Sequence, residues 1–249
     1  MNELSLFSGA GGGIIASKFL LKWRTIGYVE WNEHCQKSLK QRILEGLIDT
    51  APIFGDIETF INSGCAELYR GITDIISAGF PCQPFSVAGH QKAECDDRNK
   101  WPSTCEVIKT VQPGGVFLEN VPNLIGTGYI GNVLKDLSAA GYNARWLHLG
   151  AAQTGSICNG ARIWIFASKA NSTMLEGVDI SKHIKPDTKE SCRRQHSRAV
   201  GSMLSQDDYT KLKRNHDEVA CGMERLKAIG NGQDPILAAT AFNKLSRET

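Results

Sequence analysis

The residues best suited to chemistry lie in Ile76-Ser77-Ala78-Gly79-Phe80-Pro81-Cys82-Gln83-Pro84-Phe85-Ser86, where an apolar run ends in a turn bracketed by two prolines. Pro81 and Pro84 fix φ on either side of Cys82-Gln83, so a thiol there is held on a defined backbone. Such a cysteine is either small buried packing or a nucleophile acting as its thiolate. A second chemical group closes the apolar run Val116-Phe117-Leu118: Glu119, a carboxylate at the carboxyl end of a strand, suits acid–base work beside Cys82. A third, Arg162, opens the run Ile163-Trp164-Ile165-Phe166 with a cation.

These groups need a frame, and the start of the chain supplies its pattern. Glu3 to Phe7 reads as a short strand, Ser8-Gly9-Ala10-Gly11-Gly12-Gly13 as a glycine turn, and Ile14 to Leu21 as a helix. A glycine turn at a helix start is either a tight turn or a loop whose amides approach a ligand. Thr25 to Val29 is a second strand ending in Glu30-Trp31, about 20 residues on, where a ribose-binding acid belongs in nucleotide-binding α/β folds. Glu30 reads equally as a cap for the helix that begins near Asn32, and Trp31 as a cover for an adenine ring. Ile53-Phe54 is a third strand, ending at Gly55-Asp56-Ile57. Taken together, three strand ends bearing glycines, Glu30 and Asp56 describe a nucleoside cofactor site at one sheet edge.

The remaining pattern predicts helices over 35–47, 99–111, 131–140 and 235–245 and strands over 73–78, 116–118, 142–149 and 162–166. The polar loop 86–99 is long enough to serve as a lid. From Asn171 to about Cys221 the periodicity breaks down, and between Lys182 and Arg214 nine Lys or Arg face four acids, a segment suited to phosphates. Cys192, His196, His216 and Cys221 are too loosely spaced for a structural zinc site, and no metal is expected.

With 249 residues the chain suits one large domain. Hydrophobic residues at 41% and charged residues at 22% exclude a disordered or membrane-embedded composition, and no run approaches the roughly 20 apolar residues of a membrane span. Eight cysteines without a CxxC pair suit a reducing cytoplasm better than a disulfide framework. Met1-Asn2-Glu3 passes at once into the first strand, so no leader peptide is expected. The net charge of +2 points to no partner class.

Gly79-Phe80-Pro81-Cys82-Gln83-Pro84-Phe85-Ser86 resembles the nucleophile motif of the cytosine-C5 DNA methyltransferases, and nearly the whole chain except about 170–220 is similar to the compact bacterial and phage-borne type. The resemblance implies an α/β, Rossmann-like S-adenosylmethionine-dependent methyltransferase sheet with helices on both faces and a small irregular target-recognition segment. It implies a catalytic and cofactor-binding core over 1–169, target recognition over 170–220, and a segment over 221–249 returning to the core, its helix packed beside the first strand. It implies Cys82, Glu119 and Arg162 as catalytic residues. Cofactor contacts would come from Phe7, Gly9, Ala10, Gly11, Gly12, Glu30, Trp31, Asp56, Ile57, Pro81 and Asn231. The implied reaction transfers a methyl group from S-adenosylmethionine to C5 of a flipped cytosine through a covalent Cys82–C6 adduct. The implied setting is a cytoplasmic monomer in a bacterial or phage-infected cell, acting on double-stranded DNA, with a cognate restriction endonuclease as a candidate partner.

Two stretches depart from the family pattern. Cys158-Asn159-Gly160-Ala161-Arg162 keeps only the last arginine of Gln-x-Arg-x-Arg, and Gly232-Gln233-Asp234 replaces a more apolar run. The first departure motivates one alternative, a catalytically impaired relative that binds DNA or cofactor; an RNA (tRNA) cytosine methyltransferase with the same catalytic residues is the other.

Overall fold

The computed structural model describes residues 1–81, 99–150, 161–169 and 233–247. β1 (Asn2–Leu6) leads through the glycine turn into α1 (Gly12–Ile15), which widens into a π-helical stretch over Ala16–Leu20. Then come β2 (Arg24–Val29), α2 (Glu33–Leu44), β3 (Ile53–Phe54) and α3 (Ile57–Asn62). A 3-10 turn (Glu67–Tyr69) precedes β4 (Ile75–Ala78), α4 (Trp101–Val111), β5 (Gly115–Asn120) and the short α5 (Asn123–Gly126). The chain continues with α6 (Ile130–Ala139), β6 (Tyr142–Gly150), β7 (Ala161–Lys169) and α7 (Pro235–Arg247).

The strands form one sheet in the order β3-β2-β1-β4-β5-β7-β6. β1 to β5 are parallel, whereas β7 runs antiparallel to both of its neighbours. Strand side chains alternate between faces, and here that alternation builds two cores. Leu4, Leu6, Ile76, Ala78, Val116, Leu118, Ile163 and Ile165 lie beneath α3, α4 and α6. Ile75, Phe117, Trp164 and Phe166 point the other way, beneath the π-helical stretch and α7. Tyr28 and Ile53 meet Leu39 of α2 in a third cluster. The sheet is thus covered by helices on both faces, as expected.

Some elements differ from the sequence reading. α2 starts two residues earlier and ends at Leu44, where Gly46 takes a positive φ of 69° and the chain leaves the helix. The periodicity read as a helix over 14–21 holds a π-helical widening, and the six-residue α3 carries too little periodicity to be read at all. α7 does not rest mainly on β1. It packs on α1, the π-helical stretch and the β6–β7 hairpin, where Phe242 stands edge-on to Trp23, Phe117 and Phe166 at ring-centroid distances of 4.7, 5.5 and 5.4 Å.

Candidate active site

β5 and β4 are parallel neighbours with Leu118 opposite Ala78, so Glu119 at the end of β5 stands beside Gly79 at the exit from β4. The antiparallel β7 brings its first residues to that same edge, with Trp164 opposite Glu119. By alternation, Arg162 shares a face with Trp164, and Glu119 with Phe117. The result is an ion pair: Arg162 Nε lies 2.8 Å from Glu119 Oε1, and the Glu119 side chain is only 12% exposed. Burial drives the Glu119 carboxyl up to about 6, against the opposing pull of the Arg162 charge and of hydrogen bonds from Gln233 and Arg162. A carboxyl so poised carries a proton in a useful fraction of molecules near neutral pH.

The chain leaving β4 is held from two sides. Asn120 Nδ2 donates to the Phe80 carbonyl at 2.9 Å, and the Lys100 amide donates to the Pro81 carbonyl at 3.3 Å. The Phe80 ring packs on Trp101 at 5.2 Å, and Trp101 Nε1 donates to Asp136 at 2.8 Å. Pro81, the residue before Cys82, is therefore fixed beside β5 and α4. Cys82 itself lies outside the described residues, as do the 86–99 loop up to residue 98, Asn231, residues 151–160, the 170–220 segment and the four residues weighed for zinc.

Beside Glu119 a hollow is lined by Phe7, Gly9, Ala10, Gly12 and Gly13 of the glycine turn, by Ser5 and Ser77 from the strands, and by Gly79 and Gln233. Phe7 takes a positive φ of 53° there, an unusual conformation for a residue with a side chain. Glu30 Oε2 accepts the Gly9 amide at 2.6 Å and its Oε1 accepts the Asn32 amide at 2.7 Å, so this carboxylate pins the glycine turn to the end of β2. The cap of α2 is instead Asn32, whose side chain accepts the Cys35 amide. Beyond Glu30 a second hollow is lined by Trp31, Asn32, His34, Lys37, Gly55 and Asp56. The Trp31 indole is 74% exposed, open to stacking. Asp56 caps α3 through the Thr59 amide at 2.9 Å, and Ile57 is buried behind it in the core.

Two features escaped the sequence reading as site residues. Gln233 lines the first hollow and hydrogen-bonds Glu119; only its departure from an apolar pattern marked it. Beneath the hollow, Glu3 is buried, and its carboxylate accepts hydrogen bonds from the hydroxyls of Ser17 (2.8 Å), Thr25 (2.8 Å) and Ser77 (2.5 Å). Burial raises its pKa despite those three donors. The alternation Glu3-Leu4-Ser5-Leu6 was its one visible signal. Among the described residues no group of His, Cys, Asp or Glu is arranged to hold a metal ion, and no helix is long and apolar enough to cross a membrane.

Comparison with known proteins gives this edge a family. The chain is 30% identical over 154 residues to the type II methyltransferase M.CviJI of Paramecium bursaria Chlorella virus IL3A, covering 61% of this chain and 39% of that protein. It is 29% identical over 168 residues to the type II methyltransferase M.Bsp6I of Bacillus sp. (strain RFL6), covering 65% and 50%. In these alignments it spans half of the relatives' length or less. Crystal structures of Spodoptera frugiperda DNMT2, as an E260A/E261A/K263A mutant, and of the S. pombe Dnmt2 methyltransferase share the fold, each with a TM-score of 0.56, at 20% and 18% identity. They cover 69% and 77% of this chain and 51% and 57% of theirs. The family model for C-5 cytosine-specific DNA methylases matches residues 1–243, and the chain belongs to that family.

Proposed function

We propose that the protein transfers a methyl group from S-adenosylmethionine to C5 of a cytosine flipped out of a specific site in duplex DNA. One observation carries this reading furthest: the partly buried Glu119–Arg162 pair stands beside the exit of β4 and opens on the hollow of the glycine turn. The residues present fit the cofactor. The glycine turn leaves open space at Gly9 beside the first hollow, and the second offers an exposed indole beside Asp56. Phe7, Gly9, Ala10, Gly11, Gly12 and Pro81 would hold the amino-acid end, together with Asn231, and Glu30, Trp31 and Asp56 the nucleoside, with Ile57 backing Asp56 from the core. When bound, S-adenosylmethionine supplies an electrophilic methyl group.

The chain's own residues then make cytosine reactive. C5 is too weak a nucleophile to take the methyl group directly, so Cys82 adds as a thiolate at C6 and pushes electron density to C5. Glu119 meets N3 and gives it a proton or hydrogen bond as negative charge develops on the ring. Arg162 holds O2 with its guanidinium while balancing the Glu119 charge. Loss of the C5 proton to a base then expels the thiolate. Within this reading, residues 1–169 and 221–249 form the catalytic body and 170–220 the DNA-reading segment.

The test is a duplex carrying 5-fluorocytosine in many sequence contexts, incubated with S-adenosylmethionine. Fluorine at C5 blocks proton loss, so an adduct that survives denaturation and maps to Cys82 is the expected result. Confirmed binding of cofactor and DNA without any adduct overturns the catalytic reading. Methylation confined to tRNA overturns the choice of DNA.

A further inference from the structure

We propose that Gln233 is a positioning residue for Glu119, a single side chain that ties the carboxyl to the glycine turn. Gln233 stands just ahead of α7, and it reaches the site because α7 packs on α1 and the β6–β7 hairpin. Its main chain lies so close to Gly12 that a Cβ there would overlap its carbonyl oxygen, and a Cβ on Gly13 would overlap its Oε1. At the other end of the carboxamide, a Cβ added to Gly79 would fall 2.9 Å from Gln233 Nε2 and 3.1 Å from Glu119 Oε2. The amide nitrogen and the carboxylate oxygen thus converge over Gly79, which only a residue without a side chain leaves open.

The chemistry fixes the direction of the contact. An ionised carboxylate only accepts, so the side-chain NH2 of Gln233 donates to Glu119 while its Oε1 faces the start of α1. Arg162 holds Oε1 of Glu119 from β7. Among the described residues, Arg162 is the charged group that acts on Glu119: β4 presents Gly79, and α7 is led in by the neutral Gln233. Two donors therefore favour the ionised form against burial, and Gln233 is the one that also touches the glycine turn. The hollow beside Gly12 and Gly13 is lined by Gln233 as well as by Glu119, so an occupant that displaces the carboxamide removes a donor from the carboxyl.

The experiment titrates the full chain with its glutamate carboxyls labelled with carbon-13, the Glu119 signal being assigned by its loss in Glu119→Gln. Gln233→Met keeps the volume and removes the donor. Its Glu119 acidity constant falls about tenfold, as expected for losing one hydrogen bond to a charged acceptor. Gln233→Glu places a second carboxyl against the first and lowers it further. An unchanged Glu119 titration in both variants, with far-UV circular dichroism showing them folded, overturns the proposal. The role of Glu119 in methyl transfer rests on the function proposed above and is read separately. The basic limb of the pH–rate profile should move to higher pH in step with the titration, whereas a merely structural role would lower the plateau without moving it. A titration that moves while the pH–rate profile stays fixed supports the Gln233 contact and overturns the assignment of Glu119 to the reaction.

Discussion

At the scale of single residues, the Glu119–Arg162 pair makes the stability of the fold depend on pH. The Glu119 carboxyl sits at about 6 against an ordinary 4.5, so the folded chain holds this proton more tightly than the unfolded chain. The contribution of this group to stability is therefore full below pH 4.5, falls between 4.5 and 6, and is about 2 kcal/mol smaller above that window. Arg162 lessens the fall by favouring the ionised form. Replacing Arg162 with Met leaves a buried carboxylate without its countercharge, and the folded pKa rises further, widening the window upward. At pH 5, where the carboxyl is mostly protonated, the variant should lose less than about 1 kcal/mol. At pH 8 the loss should reach about 3 kcal/mol, as for other buried pairs with one partner removed. Urea denaturation at the two pH values measures this, and equal losses would show that the pair carries no such coupling.

At the scale of elements, β2 shows what the sequence made visible and what it hid. The run Thr25-Ile26-Gly27-Tyr28-Val29 reads as a strand, and the structure places β2 over Arg24–Val29. The reason for its glycine lies 42 residues away. A Cβ on Gly27 would fall 2.5 Å from Tyr69 Oη and 2.8 Å from its Cζ, while the Tyr69 ring is wedged against Phe54 and Phe60 and its hydroxyl donates to the Ile26 carbonyl at 3.3 Å. Glycine inside a strand marks a close approach, but local pattern cannot say of what. Gly27→Ala should cost about 1–3 kcal/mol by overpacking. In a Tyr69→Leu background the same change should cost much less, and a double-mutant cycle with no coupling would refute this account. Other readings follow the same division. Strand ends carrying Glu30, Asp56 and Glu119 were legible because each closes an apolar run. The direction of β7 was not, since an apolar run looks alike in either sense, and that direction is what turns Arg162 toward Glu119. The two prolines around Cys82-Gln83 leave packing and nucleophile both open, the resemblance of residues 79–86 to the family's motif is what favours the nucleophile, and Cys82 lies outside the described residues.

At the scale of the whole molecule, the strand order explains why one edge gathers the chemistry. From β1 the chain moves outward through β2 to β3, then returns to the other side of β1 for β4 and β5. The glycine turn after β1 and residues 79–81 after β4 therefore leave the sheet at its switch point, where open α/β sheets form their ligand crevice. That arrangement needs α7, which arrives last in sequence yet covers α1 and the hairpin that carries Arg162. Phe242 is its anchor, fully buried and edge-on to Trp23, Phe117 and Phe166. Phe242→Ala should cost about 3–5 kcal/mol, the usual range for a buried aromatic truncated to alanine. Because one ring touches β5, β7 and the segment between α1 and β2, the loss should weaken the sheet as a unit. A single unfolding transition shifted to lower urea, coincident by tryptophan fluorescence and far-UV circular dichroism, is the expected outcome. If α7 were a separately folding attachment, fluorescence would instead change at low urea while most of the circular dichroism persisted. The same variant bears on the site: with α7 loosened, Gln233 loses its seat over Gly12, and the Glu119 titration should shift upward even though no residue touching the carboxyl has changed.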